Sequence, residues 1–261
     1  GMWPLSANGA ISMSDASVKA KTLTNNGTAT AITGVRGAGV SLNGSTQYLS
    51  RASDSDLNTY PISYGLWFKT SAGGVQTLIN KYVNGSANGY NLDMDTGQLR
   101  GYYYKDGSNY VVGGYTQAYN NGNWHQAVIV VDSTGIKTYM DGSTVNSVAW
   151  TGTAGATTTA QQLEIGRFNA IGNYFNGSID EPFVTATALT ASQIKHMYEV
   201  GYRALQSHAT TLGGGGADLN QQLGFISTGT NVVGAAGVDY NNQFMYVGTN
   251  STTLGGLSKI D

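Results

Sequence analysis

Apolar residues recur at every second position in short segments through the first three-quarters of this chain, and that spacing leaves few folds open. A strand points successive side chains to opposite faces, so a period of two marks one buried face. In ISYGLWFKT (62–70), Ile62, Tyr64, Leu66 and Phe68 share a face. In GYNLDMD (89–95), Tyr90, Leu92 and Met94 do the same. HQAVIVVD (125–132) is nearly all apolar, as in a strand covered on both faces. GIKTYMDG (135–142) sets Ile136, Thr138 and Met140 against Lys137 and Tyr139. The joints are turn sequences. Asp95-Thr96-Gly97 and the Asp132–Gly135 stretch separate strands, and Asp141-Gly142 is a two-residue hairpin signal because both central positions need positive φ. Roughly a dozen such strands precede Thr187. They predict an all-β, two-sheet antiparallel jelly-roll sandwich.

The period changes after Leu189. Thr190 and Gln193 form a capping-box pair ahead of IKHMYEVGYRALQ, which predicts a helix over 191–206, with Gly201 as its weak point. A Gly-rich linker is expected over 207–216, with Gly213–Gly216 at its centre. Residues 217–261 read as a small β appendage with turns at Asn241-Asn242 and Asn250-Ser251. This tail resembles part of one β-propeller blade. A single blade needs neighbours to cover its faces, so the tail implies a longer parent protein, a homo-oligomer joined through it, or packing on the sandwich itself.

Composition narrows the partners. Lysine and arginine total 13 against 15 acidic residues, for a net charge of −2, so counterion release cannot drive nucleic-acid binding. Charged residues make up only 11% of the chain, against about 25% in ordinary domains. Polarity comes instead from Asn, Ser, Thr and Gly, a mixture found in secreted proteins and virion fibres. There is no cysteine, hence no disulfide framework, and three scattered histidines do not form a zinc site. No apolar run reaches the ~18 residues of a membrane span, so no membrane insertion is expected.

WPLSANG (3–9), GVRGAGVSLNGSTQYLS (34–50), ISYGLWFKT (62–70), NGNWHQAVIVVDSTGIKTYMDG (121–142), QLEIGRF (162–168) and YFNGSIDEPFVTATALTASQI (174–194) stand in an order and spacing that resembles the laminin-G-like, concanavalin-A-like jelly roll over residues 3–206. The resemblance implies that Asp180 and Glu181, in the family's G-x-I-D-E slot, hold the final strand and turn. It implies the same structural role for Trp124 and His125, which open a core strand. It also brings in calcium as a cofactor, for which Asp54 and Asp56, with D-x-D spacing in a loop, are the candidate ligands.

Catalysis would need converging carboxylates or a Tyr/His pair. The paired E-x-D-x-x-E run of jelly-roll glycoside hydrolases is absent, and Asp93 with Asp95 reads as a turn pair. YYYKDGSNY (102–110) is only superficially similar to a lyase motif, with Arg100 and His125 as conceivable neighbours. No enzyme is therefore expected. The Tyr- and Asn-rich loops point to recognition instead, because tyrosine rings stack on sugars and asparagine bonds their hydroxyls. Tyr102, Tyr104, Tyr110, Asn173 and Tyr174 are the candidate ligand-binding residues, with Tyr103 turned to the core and Tyr102 and Tyr104 at least half exposed. The expected protein is an adhesion domain of an extracellular or phage virion protein, binding a glycan or a surface protein. A ligand-free assembly module of a virion or surface fibre is the alternative, and a carbohydrate-active hydrolase or lyase is the third reading.

Overall fold

The first strands are short. They are β1 (Ser6–Ala7), β2 (Ala10–Ile11), β3 (Thr24–Asn26), β4 (Thr30–Thr33), β5 (Ala38–Asn43), β6 (Tyr48–Arg51), β7 (Ile62–Lys69) and β8 (Val75–Asn80). There follow β9 (Gly89–Asp95), β10 (Gln98–Asp106), β11 (Asn109–Ala118), β12 (Trp124–Asp132), β13 (Gly135–Met140), β14 (Ser143–Val148), β15 (Leu163–Ile165), β16 (Asn176–Thr185) and the helix α1 (Ala191–Ala209). This computed structural model describes residues 1–7, 10–168, 171–209, 236–239, 244–249 and 256–260.

Two seven-stranded antiparallel sheets face each other, in the orders β11-β10-β9-β8-β15-β6-β3 and β14-β13-β12-β7-β16-β5-β4. The period-two residues meet between them. Leu49, Ile79, Leu92 and Ile165 from the first sheet, and Tyr64, Leu66, Phe68, Ile129 and Val131 from the second, belong to one buried core. Tyr64 reaches across it and donates its hydroxyl to the Tyr102 carbonyl at 3.1 Å. The hairpin turns take the conformations their residues favour: Thr96 and Gly97 have φ of 49° and 88°, and Asp141 and Gly142 have 49° and 76°.

β12 is covered on both sides, as its apolar run requires. Its Val128 and Val130 join Tyr139, Phe183 and Ile194 in a second apolar cluster beneath α1. The helix starts with the expected box: Gln193 N–H donates to Thr190 Oγ1 at 3.2 Å, and Thr190 N–H donates to Gln193 Oε1 at 2.9 Å. It runs through Ala209, past the expected end at Gln206, so 207–209 are helical. Gly201 has a packing reason. A Cβ there would lie 2.4 Å from Trp67 Cζ2, and the Trp67 ring stacks on Tyr198 at 5.5 Å.

Residues 210–261 make up a separate compact unit. It holds β17 (Ala236–Asp239), β18 (Phe244–Thr249) and β19 (Gly256–Ile260) in one antiparallel sheet, with Val238 opposite Met245 and Tyr246 opposite Lys259. The Gly213–Gly216 run and the Asn241-Asn242 and Asn250-Ser251 turns lie outside the described residues.

Candidate functional site

Strand register sets Val112, Tyr102, Asn91, Asn80, Glu164, Ser50 and Thr24 in one file across all seven strands of the first sheet. Directly opposed residues project to the same face. The neighbouring file, Gly101, Leu92, Ile79, Ile165 and Leu49, enters the core, so the polar file points away from it. A second outward file holds Arg100, Asp93 and Thr77. An outward face of this kind is ordinarily wet. Here Thr77, Asn80, Asn91 and Glu164 are fully buried and Asp93 nearly so.

Charge on this face is paired. Arg100 holds Asp93 with two hydrogen bonds, Nε at 3.1 Å and Nη2 at 2.7 Å, and Asn91 Nδ2 donates to the same carboxylate at 2.8 Å. Burial raises the Asp93 carboxyl above its usual range, against the opposing pull of Arg100. Arg167 pairs with Glu164, which also accepts from Gln162 Nε2. The Arg167 guanidinium lies 3.6 Å above the Tyr48 ring.

Aromatic rings stand along two margins. On one side Tyr104 stacks on Tyr110 at 4.8 Å, and Tyr82 meets Tyr102 at 4.9 Å, Tyr104 at 5.4 Å and Phe168 at 6.2 Å. On the other side Tyr48 and Tyr174 sit edge to face at 6.2 Å. Between these margins four buried polar atoms have no hydrogen-bond partner: Thr77 Oγ1, Asn80 Nδ2, Asn91 Oδ1 and Arg167 Nε. Leaving such an atom unpaired costs about 1–3 kcal/mol.

The candidate residues from the sequence fall into two groups. Tyr102, Tyr104 and Tyr110 come together. Tyr104 and Tyr110 are half-buried, while Tyr102 is only 9% exposed and so lies deeper than its alternation predicts, because Tyr82, Tyr104 and Arg100 gather over it. Asn173 and Tyr174 stand at the end of the sandwich, beside a shallow hollow of about 300 Å³ that Gly74, Gln76 and Gly172 also line. Tyr174 links that hollow to the polar face through Tyr48 and Arg167, and the Asn173 carbonyl does so by accepting the Thr77 N–H at 3.3 Å. The sequence reading missed Tyr48, Asn80, Asn91, Glu164 and Arg167. Asn91 was within reach, since the Asp95-Thr96-Gly97 turn fixes it opposite Tyr102. Asp93, read as a turn residue, is part of the floor.

Asp54 and Asp56 do come together, but around a lysine. Lys21 Nζ pairs with Asp54 and lies 3.3 Å from Asp56, Lys19 lies 3.2 Å from Asp56, and Arg51 lies 4.0 Å from Asp54. Asp54 also caps the short turn Ser55–Leu57 by accepting the Asp56 N–H. The Lys21 hydrogen bond, with that N–H, holds the Asp54 carboxyl below its usual range. Three basic side chains already engage these oxygens, and no group of three or more His, Cys, Asp or Glu that could hold a metal occurs among the described residues. This donor set does not fit calcium.

Asp180 is fully buried, and its Oδ2 accepts the Val35 and Arg36 N–H groups. Glu181 follows in a bulge at φ 49°, with Arg36 3.9 Å away. His125 is held between Asp141 at 2.7 Å and Asn121 at 3.0 Å, on the opposite sheet from Arg100. Among the described residues no helix is long and apolar enough to cross a membrane.

The chain belongs to the concanavalin A-like lectin/glucanases superfamily, whose family model matches residues 43–195. No curated protein matches the sequence. Several solved structures share the fold. One, described by the dependence of botulinum neurotoxin type C cell entry on two ganglioside molecules, has a TM-score of 0.58 at 14% identity, covering 72% of this chain and 48% of its own. The binding domain of botulinum neurotoxin DC in complex with rat synaptotagmin II gives 0.57 at 12%, with coverage of 72% and 48%. The same domain in complex with SialylT gives 0.58 at 11%, again covering 72% and 48%. The chain thus spans about half the length of these structures. At such identities the likeness establishes the fold alone.

Proposed function

We propose that this member of the superfamily is a non-catalytic recognition domain that binds a glycan on the outward face of its first sheet. One observation carries the reading. The face joins a floor of buried polar side chains, several with unpaired atoms, to margins of tyrosine rings. Sugars present both hydroxyls and flat C–H faces, and tyrosine with asparagine serves the two together. The binding domains that share the fold support a recognition role; the ganglioside dependence of cell entry and the complexes with SialylT and rat synaptotagmin II belong to those proteins.

A non-catalytic role is supported by the placement of the acids. Asp93 and Glu164 are each committed to their own arginine, and Asp95, on the same face as Asp93, stands at the hairpin turn. An extracellular or virion-surface setting agrees with the low charge and the neutral polar composition. The separate unit at 210–261 favours a second, compatible role in assembly, which light scattering with and without that unit would test.

The deciding experiment is a glycan array with the wild type, Tyr104→Ala and Tyr110→Ala, each shown to be folded. Wild-type binding that both substitutions abolish supports the reading. Wild-type binding that neither reduces moves the site off this face, and silence of the wild type on glycans favours the assembly role.

A further inference from the structure

The polar face also constrains the kind of sugar, and this step rests on the glycan reading above. We infer that the ligand is an electrically neutral oligosaccharide, not a sialylated, uronic or sulfated one. Arg100 and Arg167 are the guanidinium groups that the register and ring contacts place on this face, and each is already paired with a buried carboxylate. Arg100 makes two hydrogen bonds to Asp93, whose side chain is only 5% exposed. Arg167 pairs with Glu164, whose side chain is fully buried, and lies flat on Tyr48. Asp95, two residues from Asp93 on the same face and exposed, adds a third carboxylate to the two cations.

The other basic side chains of this sheet point elsewhere. Arg51 turns to Asp54. Lys81 Nζ donates to the carbonyls of Thr159 and Gln161 at 3.1 and 2.8 Å. Lys105 lies along Gly155 in the 151–162 loop. An acidic sugar would therefore meet a face of net negative charge. To capture Arg167 it would have to compete with Glu164, whose buried carboxylate would lose its paired arginine, a loss proteins tolerate badly.

A neutral sugar meets no such penalty. Each hydroxyl both donates and accepts, so it can meet the exposed Arg100 and Asp95 side chains as they stand. The Tyr104 and Tyr110 rings offer apolar faces for the C–H side of a pyranose.

Matched pairs of probes test this by calorimetry: neutral galactose-, glucose- and mannose-based oligosaccharides against the same molecules carrying sialic acid or sulfate. The expected result is at least one neutral oligosaccharide binding about tenfold or more tighter than its acidic partner, a gap of about 1.4 kcal/mol. Asp93→Asn, which releases Arg100, should narrow that gap by raising affinity for the acidic probe. Asp95→Asn, at an exposed position, is the second variant should the first fail to fold, and should act in the same direction. Equal or tighter binding of the acidic partner, lost in Tyr104→Ala, would overturn the inference and leave the glycan site standing. So would a gap that neither variant changes. Absence of binding to every probe would overturn the glycan reading itself.

Discussion

The carboxylate of Asp180 accepts the backbone N–H of Val35 at 2.7 Å, although the two residues are 145 positions apart. Its Oδ2 also takes the Arg36 N–H at 3.1 Å, and its Oδ1 takes the N–H of Glu181 at 2.8 Å. One acid thus fastens β16 to the turn between β4 and β5. The turn is shaped to receive it: a Cβ on Gly34 would lie 2.4 Å from Asp180 Oδ2. Asp180 of the GSIDEP segment thereby closes the sandwich.

Asp180→Ala should lower unfolding free energy by about 3 kcal/mol, since three N–H groups lose their acceptor, that of Val35 in a fully buried setting. Urea unfolding measures it, and a loss well under 1 kcal/mol would contradict the seam role.

The same residue gives the protein a pH slope. Burial, with a smaller push from the Glu181 charge, raises the Asp180 carboxyl to about 7 against the opposing N–H bonds. The folded value exceeds the unfolded one, so the stabilisation is complete below the ordinary aspartate range and is lost as pH rises through about 7. Unfolding free energy should therefore fall between about pH 4 and 7, on the order of 1 kcal/mol or more, and level off above. Asp180→Asn, which cannot titrate, should flatten that slope. An unchanged slope would assign it to another group.

Gly201 sets helix propensity against packing. In a free helix Gly→Ala gains about 1 kcal/mol. Here the added methyl would meet the Trp67 indole at 2.4 Å. We expect Gly201→Ala to lower stability by about 1–3 kcal/mol, as overpacking does. A more stable variant would show that α1 can move off Trp67.

Two core tyrosines should respond differently to loss of the hydroxyl. Tyr64 OH donates to the Tyr102 carbonyl, whereas Tyr90 OH is buried without a partner. Tyr64→Phe should cost about 1 kcal/mol, and Tyr90→Phe should be neutral or stabilising by up to about 1 kcal/mol. Paired thermal and urea unfolding distinguishes them.

Much of this fold was legible because its signals are local. Alternation in β7 and β9, positive-φ turns at Thr96-Gly97 and Asp141-Gly142, and the Thr190–Gln193 box each act within a few residues. The polar face was not. Glu164 reaches Asn80 and Ser50 only when β15 inserts between β8 and β6, and no short-range pattern announces that pairing. Alternation also gives parity without depth. It separates Tyr102 from Tyr103 correctly, yet Tyr82, some twenty residues upstream, decides that Tyr102 is covered. The Asp-x-Asp at 54–56 shows the converse: spacing suited to a cation is met by one supplied from within the chain, Lys21.

That lysine makes the calcium question testable. Calcium at about 1 mM, the range of weak extracellular sites, should leave the melting temperature and any glycan binding of the wild type unchanged, as should EDTA. Lys21 is 5% exposed and bridges both carboxylates, so Lys21→Met should destabilise the loop and leave Asp54 and Asp56 facing each other with less compensation. Only in that variant should calcium raise the melting temperature, because a divalent ion can then replace the missing ammonium. A wild type that calcium stabilises would mean that the ion displaces Lys21 or binds elsewhere on the chain, and the donor-set argument would fall. A variant indifferent to calcium would show that the remaining Lys19 and Arg51 suffice to balance the pair, with Asp54 acting as a cap and nothing more.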